Sequence, residues 1–489
     1  MVVRGGRRET RVEVRGTGRS VSLPVAIIAG SLALALLSLL LPSAPTYDPF
    51  AWVIWGREIA QFDLNTVGGP SWKPLPVVVT TITAPLGEAS PQVWVGVARA
   101  GAIAAIVLTG LLAARLANLF ASVVAAVLLG TLPRFLSDSV RGNSEGILIA
   151  LVMGGVLCHL QGRKGWAFGL VIGAGLLRPE AWPFIGLYAL FLLWERRARL
   201  KWLAGGLATL PVLWLAPEYW GSGNPFRAAE RARDPRPDSP AFADHPALEV
   251  IKQAAELVPD PAIMFAVVAL GLAGLLIARR GPDPAARRSA IAVLVLGALT
   301  IAWIALVAVM TARGFSGNPR YLMVPAALLI LLGSVGAARA IDALAPWLPR
   351  AAAGRRRHAR DAAIALGVAL AAMFGARHIG QLSMSSVSSS YSGDLYRDLG
   401  HLVDDAGGAA YLRNCGHAFT DRFLVPAVAW RLHVHINDVD FRTRGAPGVI
   451  FHVRTAPDGR VDPPYSHARP NVLARRGHWT LTADCKARR

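Results

Sequence analysis

The chain has 489 residues, 53% of them hydrophobic and 17% charged, with a mean hydropathy of +0.42. That balance excludes a soluble multidomain protein of ordinary composition. The 51 Lys and Arg against 31 Asp and Glu give a net charge of +20, and in so apolar a chain a basic surplus marks one side of a membrane rather than a nucleic-acid partner. Three cysteines exclude a disulfide-dense scaffold, and no Cys/His spacing suits zinc.

Residues 1–22 carry six Arg ahead of an apolar run from Pro24 to Pro42. That run can span a bilayer, and the length of both parts argues for an uncleaved anchor over a signal peptide. Further apolar segments follow at about 93–113, 117–133, 146–160, 166–177, 182–194, 202–216, 261–278, 289–311, 321–338 and 361–376. About eleven transmembrane helices are expected, making residues 23–376 a polytopic α-helical domain. Alternating assignment puts 23 Lys and Arg in loops on the N-terminal side and 12 in the opposite loops. The N-terminus is therefore expected in the cytoplasm of a multi-pass plasma-membrane protein.

Two segments could reverse that parity. Residues 166–194 lie between the basic stretches GRK and ERRARLK, so both ends belong on the cytoplasmic side, and a hairpin of two short helices satisfies this. PLPVVVTTITAPLG, from Pro74 to Gly87, is too short and Pro-broken for a span. It reads as an interfacial or re-entrant helix in one long outer loop, residues 43–92.

From 377 to 489 the composition turns polar, and short alternating stretches such as WRLHVHI and GVIFHVR predict a small extracytoplasmic α/β domain after a Ser-rich linker, SMSSVSSSYSG. His433 and His435 fall on one face of such a strand and read as sheet histidines rather than metal ligands. Cys415 and Cys485 are expected to form a disulfide if this segment faces an oxidising compartment.

Ionisable residues gather at the outer ends of the expected helices. Asp48 directly follows the first span, with Glu58 and Asp63 beyond it on the polar face of an interfacial helix. Asp138 and Glu145 lie in the second outer loop, Arg178 and Glu180 in LLRPEAW, and Arg320 in RGFSGNPRYL. Charge at membrane depth is costly, so its placement points to function. Guanidinium forks bind phosphate oxygens bidentately, which makes Arg178 and Arg320 candidates for gripping a phosphate.

In this order and on this face, Asp48 after the first span, WKPLP, the acidic second loop, LRPE and RYLMVP resemble the GT-C superfamily of integral-membrane glycosyltransferases, most of all its actinobacterial arabinofuranosyl- and mannosyltransferase-like members. The likeness covers about Leu23 to Arg339. It implies transfer of a sugar from a polyprenyl-phosphate donor to a hydroxyl of an envelope glycan, glycolipid or protein on the outer face, with inversion. It places the catalytic carboxylate on Asp48, whose pKa can be raised beside an apolar helix end; the plain structural reading of Asp48 is an N-cap. Glu180, Asp138 and Glu145 are further candidate site acids, and the last two are candidate ligands for a divalent cation, Mg or Mn, although two oxygens fall short of the six a hard cation takes. Trp52, Trp72 and Lys73 are candidate sugar contacts. The competing functions are a transporter or flippase for lipid-linked sugars and a non-catalytic scaffold for envelope assembly. Charges at the bilayer midplane and related halves, the marks of a transporter, are not evident.

Overall fold

The computed structural model describes residues 22–41, 43–196, 199–279, 283–344, 379–443, 447–464 and 471–485, together with 365, 369, 373 and 376. The basic N-terminal stretch and the eleventh expected span, 361–376, lie outside the described residues apart from those single positions. The membrane part is helical: α1 (Leu23–Ser38), α2 (Tyr47–Ala60), α3 (Pro74–Thr83), α4 (Ser90–Leu116), α5 (Leu119–Gly130), α6 (Pro133–Val140), α7 (Glu145–Leu160), α8 (Lys164–Gly175), α9 (Trp182–Trp194), α10 (Leu200–Ser222), α11 (Arg227–Ala232), α12 (Pro246–Glu256), α13 (Asp260–Ala278), α14 (Pro284–Ala312) and α15 (Met323–Leu344). Proline stands in the first two positions of α1, α3, α4, α6, α9, α12, α13 and α14. There it forfeits no helical hydrogen bond and presets the backbone angle, which is why these starts are sharp.

The molecule is a multi-pass membrane protein. Among the described residues five helices are long and apolar enough to cross a bilayer, or six if the bent pair α5 and α6 is one span. Of the remaining expected spans, 361–376 lies outside the described residues apart from single positions, and the others are short helices. α1 and α7 have 16 residues, α8 has 12 and α9 has 13; at a rise of about 1.5 Å per residue the last two reach only roughly 20 Å, well short of a ~30 Å hydrocarbon layer. The segment 166–194 is a hairpin of two short helices, α8 and α9. α3 runs through a 3-10 turn at Ala84–Ala89, broken at Gly87, into α4.

The central post of the bundle is α15. Of its apolar window 83% is buried in protein, against 17% for α10. It packs on α13, α5, α14 and α4, and Gly333 permits the α13 contact, because a Cβ there would strike the Ala262 backbone. The turn before α15 therefore opens at the centre of one end of the bundle.

A second hydrophobic core joins the 43–92 loop to the C-terminal part. Phe50, Trp52, Val53, Ile54 and Trp55 of α2 cluster with Leu399, Leu402, Val428, Trp430 and Ile436. The C-terminal elements are α16 (Ile379–Asp405), α17 (Gly408–Cys415), β1 (His417–Thr420), α18 (Val425–Leu432), β2 (Val439–Asp440), β3 (Gly448–Arg454), β4 (Val461–Asp462), β5 (Val472–Arg476) and β6 (Trp479–Asp484). The sheet order is β2-β1-β3-β6-β5, with β4 on β3; β1 is parallel to β2 and β3, and the other pairs are antiparallel. Cys415 and Cys485 are joined by a disulfide.

Two local expectations are corrected. The Ser-rich stretch is helical, within α16, and Arg141 donates to Ser388 Oγ at 2.9 Å. WRLHVHI is no strand: its first residues close α18, His433 caps that helix in the left-handed region (φ 54°), and His435 precedes a 3-10 turn. Pro426 in the first turn of α18 and the packing of that helix on α2 override the alternation.

Candidate active site

Five elements meet at the end of the bundle where α15 begins. Asp48 lies in the first turn of α2, Lys73 just ahead of α3, Glu145 at the start of α7, Arg178 in the turn between α8 and α9, and Arg320 in the 3-10 turn before α15. Arg320 donates to Asp48 Oδ2 at 2.9 Å and, with its other amino group, to Asn143 Oδ1 at 3.1 Å. Arg178 donates to Glu145 Oε1 at 2.6 Å and lies over the Tyr321 ring, 4.5 Å from its centroid. Lys73 donates to Ser144 Oγ at 3.2 Å and sits 4.9 Å from the centre of the Trp52 ring. It forms no ion pair among the described residues.

Two ion pairs and one ammonium without an ion-pair partner among the described residues thus form one charged cluster. Burial, then the Arg178 and Arg320 charges, push the Lys73 ammonium down to about 7, against the opposing pull of Glu145 and Asp48. Burial alone would raise Asp48, but Arg320 and Lys73 outweigh it and hold the carboxyl below its usual range. The expected upward shift of Asp48 is therefore reversed, because its nearest neighbours are cations. Nor is Asp48 the N-cap of α2; Thr46 holds that position, and the Asp48 side chain turns to Arg320.

No protein-family model matches the chain, and no curated protein matches it. Solved structures do. ArnT from Cupriavidus metallidurans bound to undecaprenyl phosphate superposes with a TM-score of 0.51 at 17% identity, over 94% of this chain and 97% of that one, and its apo state gives the same figures. AglB, an oligosaccharyltransferase from Archaeoglobus fulgidus in complex with an inhibitory peptide and a dolichol-phosphate, has a TM-score of 0.47 at 13% identity, over 83% of this chain and 64% of that one. The chain shares the fold of ArnT.

Within this fold the remaining candidates are placed by their contacts. Asp138 accepts from Arg134 at 2.9 Å and from Asn143 at 3.2 Å, so it reaches Arg320 only through Asn143. Glu180 is 6% exposed and one of its oxygens has no hydrogen-bond partner; the same holds for Glu145 Oε2. Trp52 and Trp72, expected to face a sugar, face protein instead. Trp52 meets Trp94 edge-on, and Trp72 packs on Trp55 and donates to Leu213 O at 3.0 Å. Glu58, expected on a polar face, is buried and bonded to His435 at 2.8 Å.

A divalent cation does not fit the residues present. Among the described residues no group of three or more His, Cys, Asp or Glu is arranged to hold one. The carboxylates Asp48, Glu145 and Asp138 each already meet an arginine, and an added cation would confront Lys73, Arg178 and Arg320 as well. Lys73 is the one cation of this group with no carboxylate at hydrogen-bonding distance among the described residues, which suits contact with an anion.

Sequence reasoning reached Asp48, Arg178 and Arg320 but assigned Lys73 a weaker part than its position implies. A lysine between Trp72 and Pro74 carries no signal of burial without a carboxylate partner. Asn143, which links Arg320 to Asp138, and Ser144, which accepts from Lys73, were missed; the only cue was the run RGNSEG between two apolar segments.

Proposed function

We propose that the protein is a membrane glycosyltransferase that moves a sugar from a polyprenyl-phosphate donor to a hydroxyl of an envelope glycan, glycolipid or protein on the outer face of the plasma membrane. One observation carries this reading: three cations from separate segments, Lys73, Arg178 and Arg320, converge in one charged cluster beside the carboxylate of Asp48. The fold shared with ArnT, a protein solved with undecaprenyl phosphate bound, supports the same class of donor.

In this mechanism Lys73, Arg178 and Arg320 contact the donor phosphate and take up the charge it gains as the glycosidic C–O bond breaks. Lys73 is the natural first contact, because it has no carboxylate to give up. Asp48 is ionised at neutral pH and accepts the proton of the acceptor hydroxyl as that oxygen attacks the anomeric carbon from the opposite face, with inversion. The oxygens of Glu145 and Glu180 that lack partners are acceptors for sugar hydroxyls. By domain, residues 43–92 supply the base and Lys73, and described residues of the C-terminal part, such as Leu399, Val428 and Trp430, pack on that loop.

The test is transfer from a radiolabelled polyprenyl-phosphate sugar by the purified full-length chain in lipid nanodiscs. Stereochemistry at the anomeric carbon, read by NMR of the product, distinguishes inversion from retention. A protein that moves the intact lipid-linked sugar across vesicles without cleaving it would be a flippase, and the reading would fail.

A further inference from the structure

Apart from the charged cluster of the candidate site, the most strongly built polar cluster among the described residues surrounds Glu218, which is fully buried in the apolar helix α10. A carboxylate so placed needs full compensation. Thr66 Oγ1 donates to Glu218 Oε2 at 3.1 Å, and Arg227 Nη1 reaches Glu218 Oε1 at 3.4 Å. The backbone amide of Trp72 lies within reach of the same carboxylate.

Arg227 does more than neutralise Glu218. Its Nε donates to Val67 O at 3.3 Å, Nη1 to Pro70 O at 3.1 Å, and Nη2 to Gly68 O at 2.7 Å and Gly69 O at 3.1 Å. Four successive carbonyls, which no helix or strand would otherwise satisfy, converge on one guanidinium whose five N–H groups are all engaged. The loop continues through Ser71, which donates to Ala228 O at 3.0 Å, and Trp72, pinned to Leu213 O, directly into Lys73. On its other side Gly69 adopts φ +93° against Trp55 and Ile436, where a Cβ has no room. The segment that delivers Lys73 is thus wired to α10 and α11 by side chains outside the charged cluster.

We propose that Glu218 and Arg227 are positioning residues, a clamp that sets where the Lys73 ammonium meets the donor phosphate. The proposal rests on the reading of Lys73 as a phosphate ligand. Lysine cannot replace Arg227, because a single ammonium with three donors cannot match four carbonyls and a carboxylate in a plane.

The experiment compares Arg227→Lys, Glu218→Gln and Lys73→Ala in the full-length chain, reading donor KM, acceptor KM, the pH profile of donor kcat/KM, and amide hydrogen exchange at residues 66–73. In Arg227→Lys and Glu218→Gln the expected result is a donor KM raised about tenfold or more, an acceptor KM unchanged, a displaced pH profile, and faster exchange confined to that loop. If both leave donor KM and the pH profile unchanged while Lys73→Ala raises donor KM, the clamp has no positioning role. If Lys73→Ala itself leaves donor KM unchanged, the assignment of Lys73 falls instead. Should Arg227→Lys fail to fold, Glu218→Gln keeps the side-chain volume and carries the same test.

Discussion

Arg320 reaches across 272 residues of sequence to donate to Asp48 at 2.9 Å, and its second amino group holds Asn143 at 3.1 Å. The Arg320 and Asp48 side chains are each one-fifth exposed, so the pair sits at the accessible side of the cluster. The bond fixes the direction of the Asp48 carboxylate while keeping it ionised, and Arg320 is free to exchange that partner for a phosphate. The Asp48→Asn variant keeps an acceptor for Arg320 and removes the base. Transfer is expected to fall by about 10²–10⁴-fold in kcat, with donor KM within a few-fold of the native value. Steady-state kinetics on the labelled donor check this; undiminished kcat would remove Asp48 from the chemistry.

The Lys73 ammonium, held down to about 7, carries a pH signature. Its charge is present below that value and lost above it, so donor kcat/KM should fall as pH rises through about 7 in the free enzyme. Lys73→Arg stays charged and should flatten that limb. For stability the sign is opposite: the folded state binds the Lys73 proton less tightly than the unfolded chain, whose lysine titrates near 10.5. Stability should therefore rise as pH climbs from about 7 towards 10.5. A flat native kcat/KM profile across neutrality would count against Lys73 as a phosphate contact.

Arg178 and Glu145 are the buried pair of the cluster, with side chains 7% and 1% exposed. Removing one partner leaves a buried charge uncompensated. Arg178→Ala is expected to destabilise the protein by about 3–5 kcal/mol, with part of the loss recovered in the double variant with Glu145→Gln. Thermal unfolding in detergent gives the comparison, and additive losses would show that the two side chains are not coupled.

The disulfide between Cys415 and Cys485 closes a loop of sequence separation 70, for which chain entropy predicts about 4 kcal/mol of stabilisation. Replacing both with Ser should lower the unfolding temperature of the C-terminal part and speed its proteolysis. The same part tests orientation: Arg475→Cys, at an exposed position of β5, should react with a membrane-impermeant maleimide in intact cells. Labelling only after lysis would invert the proposed topology.

Where periodicity and charge carry the information, the sequence reading and the structure agree closely. The helices α4, α7, α9, α13 and α14 lie within a few residues of their apolar runs, because an apolar run away from water must satisfy its backbone hydrogen bonds internally and the helix does so. Asp48, Arg178 and Arg320 stood out because charge beside an apolar run is costly. The C-terminal part was less legible. WRLHVHI alternates like a strand, yet tertiary packing on α2 makes its first half helical, and a buried Glu58 looks no different in sequence from a solvated one.

By itself the sequence determined that this is a multi-pass membrane protein with its functional charges at helix ends, since hydropathy and the cost of burying charge are local properties. Only the tertiary structure decided who neutralises whom. It paired Arg320 with Asp48 and Arg178 with Glu145, left Lys73 without an ion-pair partner among the described residues, and turned the expected raised pKa of Asp48 into a lowered one. Those outcomes depend on distances between segments far apart in the chain. Electrostatic energy follows such distances, and sequence spacing does not contain them.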